Sequence, residues 1–229
     1  MPRYDWTPLA AEILWLATHR TSIDGRSCRA YQVMDAQGNL LLVARAFTWS
    51  REIRVSLPDG RAVLGIIRSR AFPFTGKAIV QDLTEGSRLG TVSRKGSFRD
   101  AAGSVYGKFT DARTLRERTK ESLLQGGLDA LLAMGGDTAA PSGPHAFVLQ
   151  ASAGVAGTLA YGRLPFASAA EPAAAAPRAL PKWAPQRLRS AWTSINAPRG
   201  WKFQRTVQPG HDPRLLLAAA LFTAELARW

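Results

Sequence analysis

Hydrophobic and polar positions alternate along much of this chain, and short polar turns centred on glycine interrupt the alternation at intervals. Tyr31-Gln-Val-Met-Asp-Ala-Gln-Gly-Asn-Leu-Leu-Leu-Val-Ala reads as two strands folded about Gly38. The pattern returns over 52–67, where Ile53, Val55 and Leu57 share a face and Pro58-Asp59-Gly60 supplies the turn. It recurs over 78–92 about Gly86, over 98–109 about Gly103, and more faintly over 147–161. In these later hairpins a second glycine follows the turn: Gly65, Gly90, Gly107 and Gly157. Glycine weakens a strand interior, so its recurrence predicts sharp bends or close backbone approach at the corners of a closing sheet. The alternative is that these glycines only end short strands. Trp201-Lys-Phe-Gln-Arg-Thr-Val resumes the strand pattern near the C-terminus.

The final stretch changes period. Asp212 suits a helix N-cap and Pro213 the first helical position, and from Leu215 to Leu226 only Thr223 and Glu225 are polar. A helix with no wet face must be enclosed. The run is shorter than the roughly 20 apolar residues that span a bilayer and it carries Glu225, so a protein sheath is the expected enclosure. Elsewhere, Leu9 to Ala17 reads as a small packing helix, and Thr110 to Met134 as an amphipathic helix weakened by Gly126-Gly127. Residues 135–144 read as a Gly/Pro/Ser loop, and Ala167 to Pro185 as a mobile, protease-sensitive Ala/Pro linker.

Composition narrows the chemistry. A chain of 229 residues suits one domain around one core, here with insertions at about 110–145 and 167–185. Its net charge of +13, mostly carried by Arg, points to anionic partners, lipid headgroups or nucleic acid, unless it reflects only a compositional habit. Cys28 is the single cysteine, which excludes an internal disulfide and a cysteine-rich metal site. His19, His145 and His211 are scattered without carboxylates at metal-ligand spacing, and no phosphate loop, nucleophile elbow or dinucleotide fingerprint occurs. The expectation is a protein that is not an enzyme and uses no cofactor or metal. Met1-Pro-Arg-Tyr-Asp-Trp lacks the order of a secretion signal, so a cytoplasmic protein, peripheral to a membrane at most, is expected.

Repeated hairpins reading apolar-x-apolar-x-Asp-x-x-Gly, then Leu-Gly, then an apolar C-terminal helix resemble the superfamily that joins Tubby C-terminal domains, phospholipid scramblases and LURP-one-related proteins. Tyr31-Gln-Val-Met-Asp-Ala-Gln-Gly-Asn-Leu, Asp59-Gly-Arg-Ala-Val-Leu-Gly65 and Asp212-Pro-Arg-Leu-Leu-Leu-Ala carry the likeness, which extends over roughly 31–229. The resemblance implies a mainly β fold: a closed antiparallel barrel of about twelve strands around the C-terminal helix. It departs from the scramblases before that helix, where Thr206-Val-Gln-Pro-Gly-His-Asp-Pro-Arg offers Asp212 alone against the six or more oxygen ligands that calcium takes. The cysteine cluster used for palmitoylation is missing too.

The densely basic middle of the chain supplies the candidate site: Arg68, Arg70, Arg94, Lys95, Arg99 and Lys108 on adjoining hairpins. Arg and Lys pair with phosphate in lipid or nucleic acid, although outward strand positions must be polar in any case. Most of the Trp residues avoid this basic middle, which disfavours stacking of single-stranded nucleic acid. The reading is therefore a non-enzymatic module for anionic phospholipid or a membrane surface. The alternatives are a basic nucleic-acid or protein interaction module and a phospholipid scramblase.

Overall fold

Twelve antiparallel strands close into a barrel in the order β1-β12-β11-β10-β9-β8-β7-β6-β5-β4-β3-β2. They are β1 (Ile13–Ile23), β2 (Arg26–Met34), β3 (Leu40–Phe47), β4 (Glu52–Ser56), β5 (Ala62–Arg68), β6 (Lys77–Asp82), β7 (Arg88–Ser93), β8 (Ser97–Asp100), β9 (Val105–Asp111), β10 (Ala146–Ala151), β11 (Gly154–Arg163) and β12 (Arg199–Arg205). Among the described residues one long helix, α1 (Pro213–Leu226), follows. The structure is a computed structural model and describes residues 5–23, 26–47, 51–68, 76–112, 146–151, 154–165, 199–205 and 212–227. The predicted linker over 167–185 and the predicted loop over 135–144 lie outside these residues. So does the predicted helix over 110–134, except at its start, where Thr110 and Asp111 belong to β9.

Every expected hairpin forms, and turn chemistry explains why. Gly60 and Gly103 sit at φ +88° and +91°, in the left-handed region that other residues avoid. Asp35 and Asp100 brace their turns in the same way: the Asp35 carboxylate accepts the Gln37 and Asn39 amides at 2.9 and 2.8 Å, and the Asp100 carboxylate accepts that of Ser104 at 2.8 Å. These turns share one end of the barrel, called here the hairpin end; the opposite end is the return end. Each hairpin also carries a register shift, and Gly90, Gly107 and Gly157 are the first paired residues beyond it. Such bulges bend and twist a strand, which is what closure demands. A Cβ at Gly90 would strike the carbonyl oxygen of Arg99, and one at Gly157 would lie 2.5 Å from that of Gln204, so close backbone approach explains Gly90, Gly107 and Gly157, whereas a Cβ at Gly65 would meet only side-chain atoms at ordinary contact distance.

The apolar helix fills the barrel. Asp212 caps it by accepting the Arg214 amide at 2.9 Å, with Pro213 in the first turn. Leu216, Leu217, Ala220, Leu221 and Ala224 are all buried, in one core with Leu14, Leu16, Tyr31, Leu64, Phe109, Trp201 and Phe203 from strands all around the sheet. The helix packs nearest β7, with β5 and β8 beside it. Leu215 approaches the bare backbone of Gly90 there.

The N-terminal segment departs from expectation. Leu9 to Ala17 is no packing helix: Thr7–Ala10 forms a 3-10 turn, and Ile13–Ile23 is the strand that closes the barrel between β2 and β12. Leu14 and Leu16 enter the main core, while on the alternate positions Ala17 is buried outside the barrel with Met34 and Leu164, and Trp15 packs against them. A strand buried on both faces shows no alternation and reads like a helix in sequence.

The helix interior yields the first prediction. Leu217→Ala should cost about 2–5 kcal/mol in a denaturant titration, as buried leucine truncations do. Leu217→Asp should give no soluble folded protein on expression, because an unpaired charge cannot be kept in that core.

Candidate functional site

Polar chemistry gathers in three places. Two lie inside the barrel and fix α1. At the hairpin end Asp82, the last residue of β6, is 1% exposed and accepts the Arg214 guanidinium at 2.6 Å, while Arg214 also binds Asp212 at 2.7 Å. Burial alone would push the Asp82 carboxyl up. The hydroxyl and amide of Thr84, the amide of Glu85 and the charge of Arg214 outweigh it and hold the group below the ordinary carboxylate value. Trp6 covers the Arg214 guanidinium, with the ring centroid 5.7 Å away. Arg205 donates to the carbonyls of Leu9 and Ala11, tying the 3-10 turn over the same end.

Toward the return end, Glu225 in the last turn of α1 is 4% exposed and accepts from Arg29 at 2.7 Å and from the Tyr31 hydroxyl at 2.5 Å. Both partners project inward from β2. These two anchors set how far α1 reaches into the barrel and which way it faces. Cys28 lies beside the second of them, buried, with its thiol pushed up by desolvation, so it is not a poised nucleophile. His19 is on β1, and the other two histidines fall outside the described residues. No group of three His, Cys, Asp or Glu among the described residues could hold a metal.

The third grouping is on the outer wall of β6 to β9. Alternation sends Ala78, Val80, Val92, Phe98 and Phe109 into the core and leaves the intervening side chains outside. Of the predicted residues, Arg99 and Lys108 are exposed there, and Arg94 and Lys95 are exposed in the turn between β7 and β8. Lys108 pairs with Ser97, and the Ser97 hydroxyl is 2.7 Å from that of Ser93, which pairs with Lys77. Lys77 therefore joins the patch. The alternation Lys77-Ala-Ile-Val-Gln-Asp82 holds the signal for it, one residue before the point where the sequence pattern had opened that hairpin. Arg68 stands apart: its register partner is the core residue Ala78, and it lies half-buried at the return end of β5. Arg70 is outside the described residues.

Among the described residues no carboxylate is within ion-pair distance of Lys77, Arg94, Lys95, Arg99 or Lys108. Asp82 on the same sheet is buried against Arg214, and Asp100 is occupied by its own turn. The Arg99 guanidinium donates to the Gly103 carbonyl at 2.9 Å, which holds it along the wall. This arrangement concentrates positive charge on one side of the barrel, not neutralised by any described carboxylate, where it can attract a polyanion or an anionic surface. Among the described residues no helix is long and apolar enough to cross a membrane. No family model matches the chain, and no curated protein or solved structure matches it either.

The hairpin-end anchor gives a pH prediction. A carboxyl whose folded value is depressed contributes stability fully above the unfolded value of about 3.9 and loses it as pH falls through the folded one. Asp82→Asn should cost roughly 3 kcal/mol at neutral pH, the low end for breaking a buried pair because Arg214 keeps 22% exposure. It should also flatten the fall in stability below about pH 4, read from denaturant midpoints across pH.

Proposed function

We propose that the protein is a non-enzymatic module that binds anionic phospholipid surfaces through the outer wall of β6 to β9, within a barrel of the Tubby C-terminal-like kind. The observation that carries this reading is the cluster of Lys77, Arg94, Lys95, Arg99 and Lys108 on one wall, with no described carboxylate close enough to neutralise it. The net charge of +13 and the likeness of the hairpin repeat to lipid-associated families support it.

The magnitudes favour weak, reversible attachment. Each basic residue near an anionic bilayer contributes about 1 kcal/mol, so a handful gives a dissociation constant of order 0.1–1 mM. The attraction fades within a Debye length, about 8 Å at physiological salt. Nucleic acid could use the same charge, but the outward positions of β6 to β9 place no Trp or Phe for stacking: Phe98 and Phe109 are in the core, and Tyr106 on β9 is half-buried against it.

Sedimentation with phosphatidylcholine vesicles, with and without phosphatidylserine, tests the reading. Binding should require the anionic lipid and fall steeply with salt. Reversal of Arg94, Lys95 and Arg99 to Glu should weaken it by about 100-fold or more, from three lost contributions of about 1 kcal/mol each. Folding stability should stay within about 0.5 kcal/mol, as for other surface changes. Equal binding to neutral vesicles, or tighter binding to a single-stranded oligonucleotide than to anionic vesicles, would replace this reading with that of a general interaction module.

A further inference from the structure

The basic wall also carries two of the three large apolar side chains that are exposed among the described residues. Among the described residues the large hydrophobic side chains left exposed are Ile79 (40%), Val105 (56%) and Val155 (65%), on β6, β9 and β11. Single exposed apolar residues are ordinary on any surface. Ile79 and Val105, however, are not scattered. Register pairs Ile79 with Thr91, Thr91 with Arg99 and Arg99 with Val105, so Ile79, Thr91, Arg99 and Val105 form one continuous row across four strands. Neighbouring strands are about 4.8 Å apart, so the row is about 14 Å long. Lys77, Ser93, Ser97 and Lys108 form the adjoining row toward the return end, where Arg94 and Lys95 flank it.

The inner and outer faces of this region differ in what the fold asks of them. Inward neighbours such as Val80, Val92 and Phe98 are wholly buried, whereas Ile79 and Val105 hold positions that a polar residue would fill without cost to the core. On the opposite side of the barrel the outward residues Ala17, Ala30, Gln32 and Met34 are buried. That side offers no comparable free apolar surface at these positions. Charge and exposed apolar surface thus coincide on one wall, the pairing that suits the boundary between lipid headgroups and acyl chains. There basic side chains reach phosphates while their apolar neighbours leave water.

We infer that the barrel lies on its side on an anionic bilayer, with Ile79 and Val105 seated at the headgroup–acyl boundary on either side of Arg99. This inference rests on the lipid-surface reading above and adds an apolar component that salt does not screen. Twelve strands around a closed barrel are about 30° apart, so Val155 on β11 faces well away from the middle of this wall. Val155→Gln is therefore a matched control: the same kind of change at a more exposed residue outside the contact.

The test is binding of the full chain to phosphatidylcholine vesicles with and without phosphatidylserine, at low and high salt. The double variant Ile79→Gln/Val105→Gln should bind anionic vesicles about tenfold more weakly with an unchanged salt slope, and Val155→Gln should bind like the parent. Val105→Trp should bind severalfold more tightly. All of these changes are at exposed positions, and matching denaturation midpoints exclude misfolding as the cause. Parent-like binding by the glutamine double variant, with charge reversal of Arg94, Lys95 and Arg99 still effective, would overturn the insertion and leave a purely electrostatic contact. An equal loss in Val155→Gln would overturn the orientation. No binding of the parent to anionic vesicles would instead defeat the lipid-surface reading itself.

Discussion

A helix that is apolar on every side cannot stand in water, and the rest of this molecule follows from that constraint. From Leu215 to Glu225 each residue of α1 is buried, and the closed sheet is what buries it. The dependence runs both ways. An eight-stranded barrel is just filled by its own side chains, but twelve strands enclose a wider space that needs another element inside. At about 1.5 Å per residue the helix of 14 residues is about 21 Å long, too short for a bilayer's roughly 30 Å hydrocarbon but matched to a sheathing barrel. The run Ala218-Ala219-Ala220 keeps the helix narrow in its middle, and Gly90 lets it approach β7. Trp201, Phe203, Tyr31 and Phe109 fill space elsewhere around it.

Hydrophobic enclosure alone would allow such a helix to slide or rotate, since dispersion and burial are not directional. Direction comes from the two ionic anchors. Asp82 holds Arg214 at one end and Arg29 with Tyr31 holds Glu225 at the other, so a shift of one residue would leave buried charges unpaired at both ends. Burying such pairs yields little net stability, because desolvation offsets most of the attraction, but removing one partner is costly. In this barrel they act mainly on register: the hydrophobic core makes the helix stay inside, and the anchors decide where.

Local chemistry was readable in the sequence and long-range chemistry was not. Hairpins with Asp or Gly in the turns, the Asp212-Pro213 helix start and the buried face of α1 depend on residues within a few positions of each other, and a linear reading finds them. β1 escaped because Trp15 and Ala17 are packed outside the barrel as Leu14 and Leu16 are inside, which erased the period of two. The anchors join residues 132, 194 and 196 positions apart, so Glu225 looked like a flaw in an apolar helix when it is one of the helix's fixed points. The basic patch was half legible. Arg99 and Lys108 share a wall because their strands pair, whereas Arg68, grouped with them on sequence, sits at inward register and is half-buried.

The two sides of the barrel wall carry different obligations, and this bears on where function can reside. Outward positions on β2 are buried: Ala30 at 2%, Gln32 at 6% and Met34 at 0% exposure, so changes there alter packing. Outward positions on β6 to β9 contribute little to the core, and their composition is free to answer to something other than folding. On such a wall polar residues of either sign would satisfy solvent equally well. Instead Lys77, Arg94, Lys95, Arg99 and Lys108 stand together among Ile79 and Val105, with the nearby acids Asp82 and Asp100 drawn into the helix anchor and a turn. Self-repulsion among like charges is a cost that folding does not require. An anionic partner would offset that cost, which is the role proposed above for the basic wall, whereas the polar groups of the interior are already committed to holding the helix.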